Sequence, residues 1–226
     1  MSDISNHHRV NDILLGPLER PTLQWLAANM PAWVTPDLCT SIGVLGALVT
    51  GLSYLLSNYS NAFLWLASFG FIVNWFGDSL DGTLARHRRI ERPVFGFFVD
   101  HTTDAFSQLV IFLGLGLTPY VTFNIACLAS ISYLLLSVLV YVRTSAVGEF
   151  KISYGMLGPT EIRAIAILLN TAMYFGSIYA PAWKFEIAGQ AFTPYDLVLA
   201  AIALLMFFFF VTTTIQETIR LAKENK

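Results

Sequence analysis

The stretch GDSLDGTLARHRRIERPVFGFFVDHTTDAF, residues 77–106, carries four aspartates inside or at the edges of two apolar segments. They are Asp78, Asp81, Asp100 and Asp104. An aspartate near the centre of a membrane helix costs about 2.5–3.5 kcal/mol on insertion scales. Four of them therefore need a compensating partner, and the nature of that partner indicates the chemistry.

The composition is that of a membrane protein. Of the 226 residues, 55% are hydrophobic and 12% are charged, whereas soluble domains have about 25% charged residues. We predict an all-α polytopic membrane protein that forms one domain over residues 1–226, with no nucleic-acid partner. Cys39 and Cys127 lie far apart in separate apolar runs, so neither a disulfide nor a cysteine metal site is expected.

Six apolar windows are long enough to cross a bilayer, which takes about 20 residues. They are residues 37–57, 61–82, 94–117, 119–143, 159–180 and 194–219. Helices are expected because backbone groups in lipid must bond within their own segment. The segment 1–34 mixes Leu and Trp with charges and predicts an interfacial amphipathic helix. Residues 35–226 then form a six-helix bundle.

Lysine and arginine are distributed unequally between the two sides of this six-span arrangement. One side has only Lys184. The other side has Arg9, Arg20, Arg86, Arg88, Arg89, Arg92, Arg143, Lys151, Arg163, Arg220, Lys223 and Lys226. Because cytoplasmic loops are enriched in these residues, the second side is predicted to be cytoplasmic. The four aspartates then lie near the cytoplasmic face.

The spacing of the aspartates predicts a metal site. Asp78 and Asp81 are three residues apart, and Asp100 and Asp104 are four apart. Each pair therefore shares one helical face, and a hairpin of the two helices brings the faces together. Four carboxylates balance two divalent cations, and oxygen ligands suit Mg²⁺ or Mn²⁺. The alternative is that the aspartates end their helices facing water or pair with nearby arginines.

Small and basic residues next to the aspartates predict a phosphate-binding surface. Gly82 and Ala85 follow Asp81, and Gly96 lies one turn before Asp100, so a flat ligand can approach the backbone there. Arg86 can bind phosphate oxygens in a bidentate manner. The glycines are alternatively helix-packing positions. We name Arg88, Arg89, Arg143, Lys151 and Arg163 as candidate contacts for an acceptor or its phosphate.

The residues DSLDGTLAR at 78–86, followed by Gly96, Asp100 and Asp104, resemble the signature of the CDP-alcohol phosphotransferase family. That pattern is Asp-x-x-Asp-Gly-x-x-Ala-Arg, then Gly-x-x-x-Asp-x-x-x-Asp, and every specified residue is present. The gap between Arg86 and Gly96 has nine residues here, against about eight in the usual pattern, and it falls in a hydrophilic segment that tolerates insertion. The stretch TPDLCTSIGVLGA at 35–47 also resembles the family's opening segment.

The resemblance implies a homodimer in a prokaryotic inner or plasma membrane, with a polar cavity facing the cytoplasm. It implies that the four aspartates hold two divalent cations and that Asp78, Asp81, Gly82, Ala85, Arg86 and Gly96 bind the CDP group. It further implies phospholipid biosynthesis: an alcohol oxygen attacks the β-phosphorus of a CDP-alcohol and CMP leaves. Asp104 is the base in much of the family.

Two further motifs bear on the substrates. DHTTD, with His101, and GPTE, with Glu161, resemble the choline/ethanolamine phosphotransferase branch, where such residues activate the hydroxyl of diacylglycerol. His101 is alternatively a filler beside the metals, and Glu161 an ordinary first-turn carboxylate. The short chain is closer to members that join CDP-diacylglycerol to a polar alcohol. Both substrate directions therefore stay open.

Two other classes of protein also use aspartates within membrane helices. Membrane prenyltransferases have two aspartate-rich motifs, but on widely separated helices, whereas both pairs here lie on one hairpin. An ion transporter would not need the small-residue surface or Arg86, and no pair of broken helices is visible. Release of CMP distinguishes the enzyme from a transporter.

Overall fold

The computed structural model describes residues 9–10, 14–147, 150–151, 158–179, 184–187 and 189–224. Within these residues the chain is helical apart from two short strand pairs. The helices are α1 (Gly16–Asn29), α2 (Pro36–Leu56), α3 (Phe63–Arg88), α4 (Pro93–Gly116), α5 (Phe123–Val147), α6 (Pro159–Tyr179) and α7 (Pro194–Glu224). The strand β1 (Arg9–Val10) pairs in parallel with β2 (Phe150–Lys151), and β3 (Phe185–Ile187) forms a hairpin with β4 (Gln190–Phe192).

Proline marks the first residue of four of these helices. Pro36, Pro93, Pro159 and Pro194 begin α2, α4, α6 and α7. Proline suits this position because its fixed φ is already helical and its missing N–H would have no partner within the helix. At α2 the preceding Thr35 adds a side-chain cap by accepting from the N–H of Leu38 at 3.2 Å. Local chemistry therefore sets where these helices begin.

Among the described residues, five helices are long and apolar enough to cross a membrane: α2, α3, α5 (over Phe123–Ser145), α6 and α7. This agrees with a polytopic membrane protein. The helix α4 has 24 residues, which is also sufficient length. Its hydropathy is lower because Asp100, His101, Asp104 and Gln108 lie on it. A sixth span is therefore not shown by the same criterion.

The helix ends differ from the predicted windows mainly on the α3 side. The helix α3 continues to Arg88, so only residues 89–92 connect it to α4. Hydropathy marks where a helix leaves the apolar region, but backbone hydrogen bonding continues beyond that point. The helix ends in a Schellman motif, in which Ile90 N donates to Ala85 O at 3.0 Å and Arg89 takes a left-handed φ of 56°.

Glycines bring α2 and α3 into backbone contact. A Cβ added at Gly77 would overlap the backbone of Gly43, and one added at Gly46 would overlap the backbone of Asn74. Small residues allow such approach in membrane helices, where packing replaces the hydrophobic driving force. This contact fixes the part of α3 that carries Asp78 against α2. These packing glycines are distinct from Gly82 and Gly96, for which the packing alternative was stated.

Two buried carboxylates each join the starts of two helices. Asp196, in the first turn of α7, accepts from Thr193 N at 2.8 Å and from Thr122 N, just before α5, at 2.7 Å. Glu161, in the first turn of α6, accepts from Gly158 N at 2.9 Å and from Leu15 N, just before α1, at 2.7 Å. Each side chain is thus a capping-box acceptor for its own helix and a cap for a second one.

Candidate active site

The four aspartates lie on α3 and α4, where α2 packs against both helices. Asp78 and Asp81 lie in the C-terminal half of α3, and Asp100 and Asp104 lie in the first half of α4. A narrow cavity between the three helices is lined by Asp78 and Asp104 together with Thr40, Gly43, Val44, Asn74, Thr103 and Ser107. The helices α3 and α4 follow each other across a short connection, as predicted, but both pack on α2 and have little direct contact with each other. Asp78 from the first pair and Asp104 from the second line the same cavity.

Asp78 is paired with an arginine from a distant part of the chain. Arg163, near the start of α6, donates from Nη2 to Asp78 Oδ2 at 2.5 Å and from Nε to Asn74 Oδ1 at 2.8 Å. Asn74 in turn donates to Gly43 O at 2.9 Å. The side chain of Arg163 is only 13% exposed. Arg163 was a candidate acceptor contact, and the structure places it directly on a candidate metal ligand.

Asp81 is oriented by α2. Its Oδ2 accepts from Thr40 Oγ1 at 2.6 Å, and its Oδ1 accepts from Gly82 N at 2.5 Å. Neither contact is with a cation. The charge of Asp81 is therefore held by neutral donors, which leaves lone pairs of both oxygens for another ligand.

Asp100 and Asp104 form a group with His101 on α4. One ligand atom from each of the three residues lies within 4.8 Å of the others. His101 Nδ1 is 3.3 Å from Asp100 Oδ2, and the imidazole stacks on the ring of Tyr141 from α5 with centroids 4.6 Å apart. His101 therefore lies beside the carboxylates. This position fits both alternatives, proton transfer and a side chain that only fills space beside the metals.

The carboxylates fit a divalent-cation site. Asp78 and Asp104 line one cavity, and Asp104 lies in one group with Asp100, so these carboxylates would repel one another when ionised. In the described part of the chain, Arg163 is a buried cation beside these aspartates. Its single guanidinium can balance the charge of only one carboxylate. The remaining negative charge and the all-oxygen donors are those that Mg²⁺ and Mn²⁺ prefer.

The predicted CDP surface lies partly open. Within the described part of the chain, no atom lies within 4 Å of a Cβ added at Gly96, so those residues leave its face of α4 open. Gly82 lies under the guanidinium of Arg86, whose Nη1 would be 3.2 Å from an added Cβ. Arg86 Nη2 donates to Thr83 Oγ1 at 3.3 Å on the exposed end of α3. Ala85 lies beside Arg86 on the same turn.

The other basic candidates have different surroundings. Arg88 donates to the carbonyls of Met30, Pro31 and Val34, where α1 ends and α2 approaches. Arg143 pairs with Glu217 of α7 at 3.2 Å. These guanidinium groups already connect helices, because an arginine can satisfy several carbonyl or carboxylate oxygens at once.

Arg89 is the residue after α3; its backbone is left-handed and the residue is exposed. Lys151 lies in β2, and its side chain is outside the described part of the structure.

Glu161 is 4% exposed, and both of its oxygens accept backbone N–H groups. Its described hydrogen bonds run to α1 and to its own helix start, and none involves the four aspartates. These contacts favour the first-turn capping alternative over proton transfer. A catalytic role for Glu161 stays a prediction.

Sequence reasoning missed three partners of the site. Thr40 hydrogen-bonds Asp81, and Asn74 hydrogen-bonds Arg163. Glu19 hydrogen-bonds α3 and α6 close by. Asn74 had a usable signal, since a polar side chain within an apolar span needs a partner. Thr40 and Glu19 had none, because hydroxyl groups and interfacial charges are ordinary at helix ends.

Comparison with known proteins relates the whole bundle to one family. A model of the CDP-alcohol phosphatidyltransferase family matches residues 33–216. A phosphatidylinositol phosphate synthase of Cutibacterium acnes is 36% identical over 90 residues, which are 40% of this chain and 41% of that protein. Cholinephosphotransferase 1 of Gallus gallus is 30% identical over 107 residues, which are 45% of this chain and 32% of that protein. Each match spans less than half of the relative's own length.

Proposed function

Because the chain belongs to the CDP-alcohol phosphatidyltransferase family, we propose that it transfers a substituted phosphate group from a CDP-alcohol to a hydroxyl acceptor and releases CMP. The observation that carries this proposal is the convergence of Asp78 and Asp104 on one cavity, with Asp81 and Asp100 interacting with them. In the reaction the acceptor oxygen forms a bond to the β-phosphorus, and the bond from that phosphorus to the CMP oxygen breaks.

We infer that Asp78, Asp81, Asp100 and Asp104 would hold two divalent cations, Mg²⁺ or Mn²⁺. When bound, such cations neutralise a diphosphate and stabilise the leaving CMP. Gly82, Ala85, Arg86 and Gly96 would receive the CDP group, and the open face at Gly96 supports this. Arg163 has a buried Nη1 with no hydrogen-bond partner in the described part of the chain, which supports a contact with a substrate oxygen.

The proton of the acceptor hydroxyl needs a base. Asp104 and His101 are both placed for this role, because they lie in one group with Asp100. A neutral imidazole has a nitrogen that can accept a proton, so His101 would suit a lipid hydroxyl that no other group acidifies. Asp104 suffices if the acceptor is a soluble alcohol.

The substrate direction stays open between two forms of the same chemistry. The two relatives are named for phosphatidylinositol phosphate synthesis and for cholinephosphate transfer. The lipid is accordingly either the donor, as CDP-diacylglycerol with a polar alcohol as acceptor, or the acceptor, as diacylglycerol with a CDP-linked polar alcohol. In both forms CMP is the leaving product.

We further propose the arrangement in the membrane. Six helices would span it, α4 included, with the aspartates near the cytoplasmic face of a prokaryotic inner or plasma membrane. The helix α1 would lie at the interface, and its exposed Leu18 and Trp25 support contact with lipid. A homodimer is expected from the family.

The test is turnover by the purified protein in detergent. One incubation contains labelled CDP-diacylglycerol and a panel of polar alcohols. A second contains CDP-choline, CDP-ethanolamine or CDP-glycerol with diacylglycerol. We expect CMP and one labelled lipid product in one of the two, abolished by EDTA and restored by Mg²⁺ or Mn²⁺. Full turnover in metal-free buffer, or no CMP with any pair, would contradict the proposal.

A further inference from the structure

Polar side chains connect α3 and α6 along an antiparallel register. The direct contacts are Ser68 to Asn170 at 3.1 Å and Arg163 to Asn74 at 2.8 Å, and Asn61, just before α3, contacts Ser177 at 2.9 Å. Numbers rise along α3 as they fall along α6, so these contacts are successive rungs of one interface. Hydrogen bonds of this kind help to hold membrane helices together, because within lipid there is no hydrophobic driving force for helix association.

The rung beyond Arg163 is built differently, because a third helix supplies it. Glu19 of α1 accepts through Oε1 from Ser79 Oγ of α3 at 3.3 Å and from Thr160 Oγ1 of α6 at 2.7 Å. The same oxygen accepts from Trp75 Nε1 at 2.9 Å. The carboxylate therefore bridges the two helices at the residue next to Asp78.

The bridging helix is itself held at both ends. At its start Leu15 N donates to Glu161 of α6, and at its end the carbonyl of Met30 accepts from Arg88 of α3. Its inner face, which includes Leu23 and Ala27, packs in a cluster with Leu80 and Leu84 of α3. Glu19 thus lies on a helix whose two ends and inner face are held against α3 and α6.

We propose that Glu19 is a positioning residue that sets the spacing of α3 and α6 at Asp78 and Arg163, and through them the geometry of the cation site. This inference rests on the proposed function, since it takes Asp78 as a metal ligand. The described contact of Asp78 with α6 is made by the long side chain of Arg163. The Glu19 bridge restricts that arginine's freedom by fixing the helix beneath it.

The consequence of losing the bridge follows from geometry. Trp75, Ser79 and Thr160 would lose their common acceptor, and α3 and α6 could separate at this rung. A displacement of about 1 Å at a catalytic centre can cost on the order of 10²-fold in rate. The proposed CDP surface lies on the exposed end of α3 and on α4, away from the Glu19 bridge. KM should therefore change less than kcat.

The experiment compares Glu19→Leu with Glu19→Gln. The amide oxygen of glutamine can accept the same hydrogen bonds, whereas leucine cannot. Gln24→Ala, on the exposed face of the same helix, is the matched control. Two properties are measured for each folded variant: Mn²⁺ affinity by electron paramagnetic resonance, without substrate, and kcat and KM for CMP release.

We expect Glu19→Leu to weaken Mn²⁺ binding and to lower kcat by about tenfold each, with KM within about threefold, and Glu19→Gln to recover most of both. Wild-type values in folded Glu19→Leu, or equal damage in Glu19→Gln, would overturn the proposal. Should Glu19→Leu fail to fold, Ser79→Ala and Thr160→Val decide, since each removes one donor of the bridge. Both should lower Mn²⁺ affinity and kcat severalfold, and unchanged values in both would refute the bridge.

Failure of the positioning role and failure of the proposed function give different results. If wild-type protein binds no Mn²⁺ and releases no CMP, the proposed function fails. If wild-type protein does both, Asp78→Asn loses both, and folded Glu19→Leu behaves as wild type, only the role of Glu19 is wrong.

Discussion

Replacing Arg163 with glutamine should make the stability of the protein depend on metal. Arg163 is the buried cation that pairs with Asp78. Without it, the four carboxylates repel one another with no compensating charge from α6. Breaking a buried ion pair by removing one partner costs about 3–5 kcal/mol. A Coulomb estimate at an effective dielectric constant near 20 gives about 4 kcal/mol for charges roughly 4 Å apart.

This cost should appear only when the cation site is empty. For a chain of this size, about 1 kcal/mol corresponds to roughly 2–4 °C in Tm. In EDTA we therefore expect Arg163→Gln to lower Tm by about 6–20 °C. With saturating Mn²⁺ the carboxylates are compensated by the ions, and most of the loss should be recovered. Thermal unfolding in detergent, followed by intrinsic fluorescence, measures both conditions at one scan rate.

Arg143→Gln serves as the control, because Arg143 pairs with Glu217 between α5 and α7. Its loss of Tm should be the same in EDTA and in Mn²⁺. An equal loss for Arg163→Gln in both conditions would refute the reasoning, as it would show that Arg163 supports the fold without sharing its charge partner with a metal. No loss in EDTA would refute the ion pair itself.

Three further predictions concern other parts of the molecule. With diacylglycerol as acceptor, His101→Ala should lower kcat by about 10²–10⁴-fold, the usual worth of a general base, while Glu161→Gln, which keeps one acceptor oxygen, should chiefly lower Tm; a near-normal rate in His101→Ala would end its assignment as base. A cysteine placed at Ser60 should react with an impermeant thiol reagent from outside intact cells, and one at Arg89 should not; the reverse labelling would invert the proposed orientation. Asp196→Ala removes a carboxylate that caps both α5 and α7, so it should cost about 2 kcal/mol, or roughly 4–8 °C in Tm, with Mn²⁺ affinity unchanged; a stability equal to wild type would show that the two caps are replaceable.

Much of the site could be predicted because its spacing is local. Asp78 and Asp81 share a face of α3, and Asp100 and Asp104 share a face of α4, as helical periodicity requires. A short connection makes the two helices consecutive, but it is α2, packed against both, that holds them so that Asp78 and Asp104 line one cavity. The roles of these residues as ligands stay a prediction.

The basic residues and Glu161 could not be assigned in the same way. A charge near a helix end has many possible partners, and its choice depends on which helix lies opposite. Arg88 binds the carbonyls after α1, Arg143 binds Glu217, and Glu161 caps two helices. Apart from Gly158, which Glu161 caps from three residues away, these partners lie far off in sequence, so no local pattern distinguishes these side chains from phosphate contacts.

The amino-acid sequence by itself determined the elements: apolar windows of spanning length, prolines that begin helices, and aspartates in register on two of them. These properties depend on hydropathy and on helical periodicity, which act over a few turns of one segment. Only the tertiary structure decided that α6 lies against α3, so that Arg163 meets Asp78 and Glu19 bridges Ser79 to Thr160. In a bilayer all apolar faces are nearly equivalent, so helix partners are chosen by close approach at glycines and by matching polar groups, and those matches exist only between segments far apart in the chain.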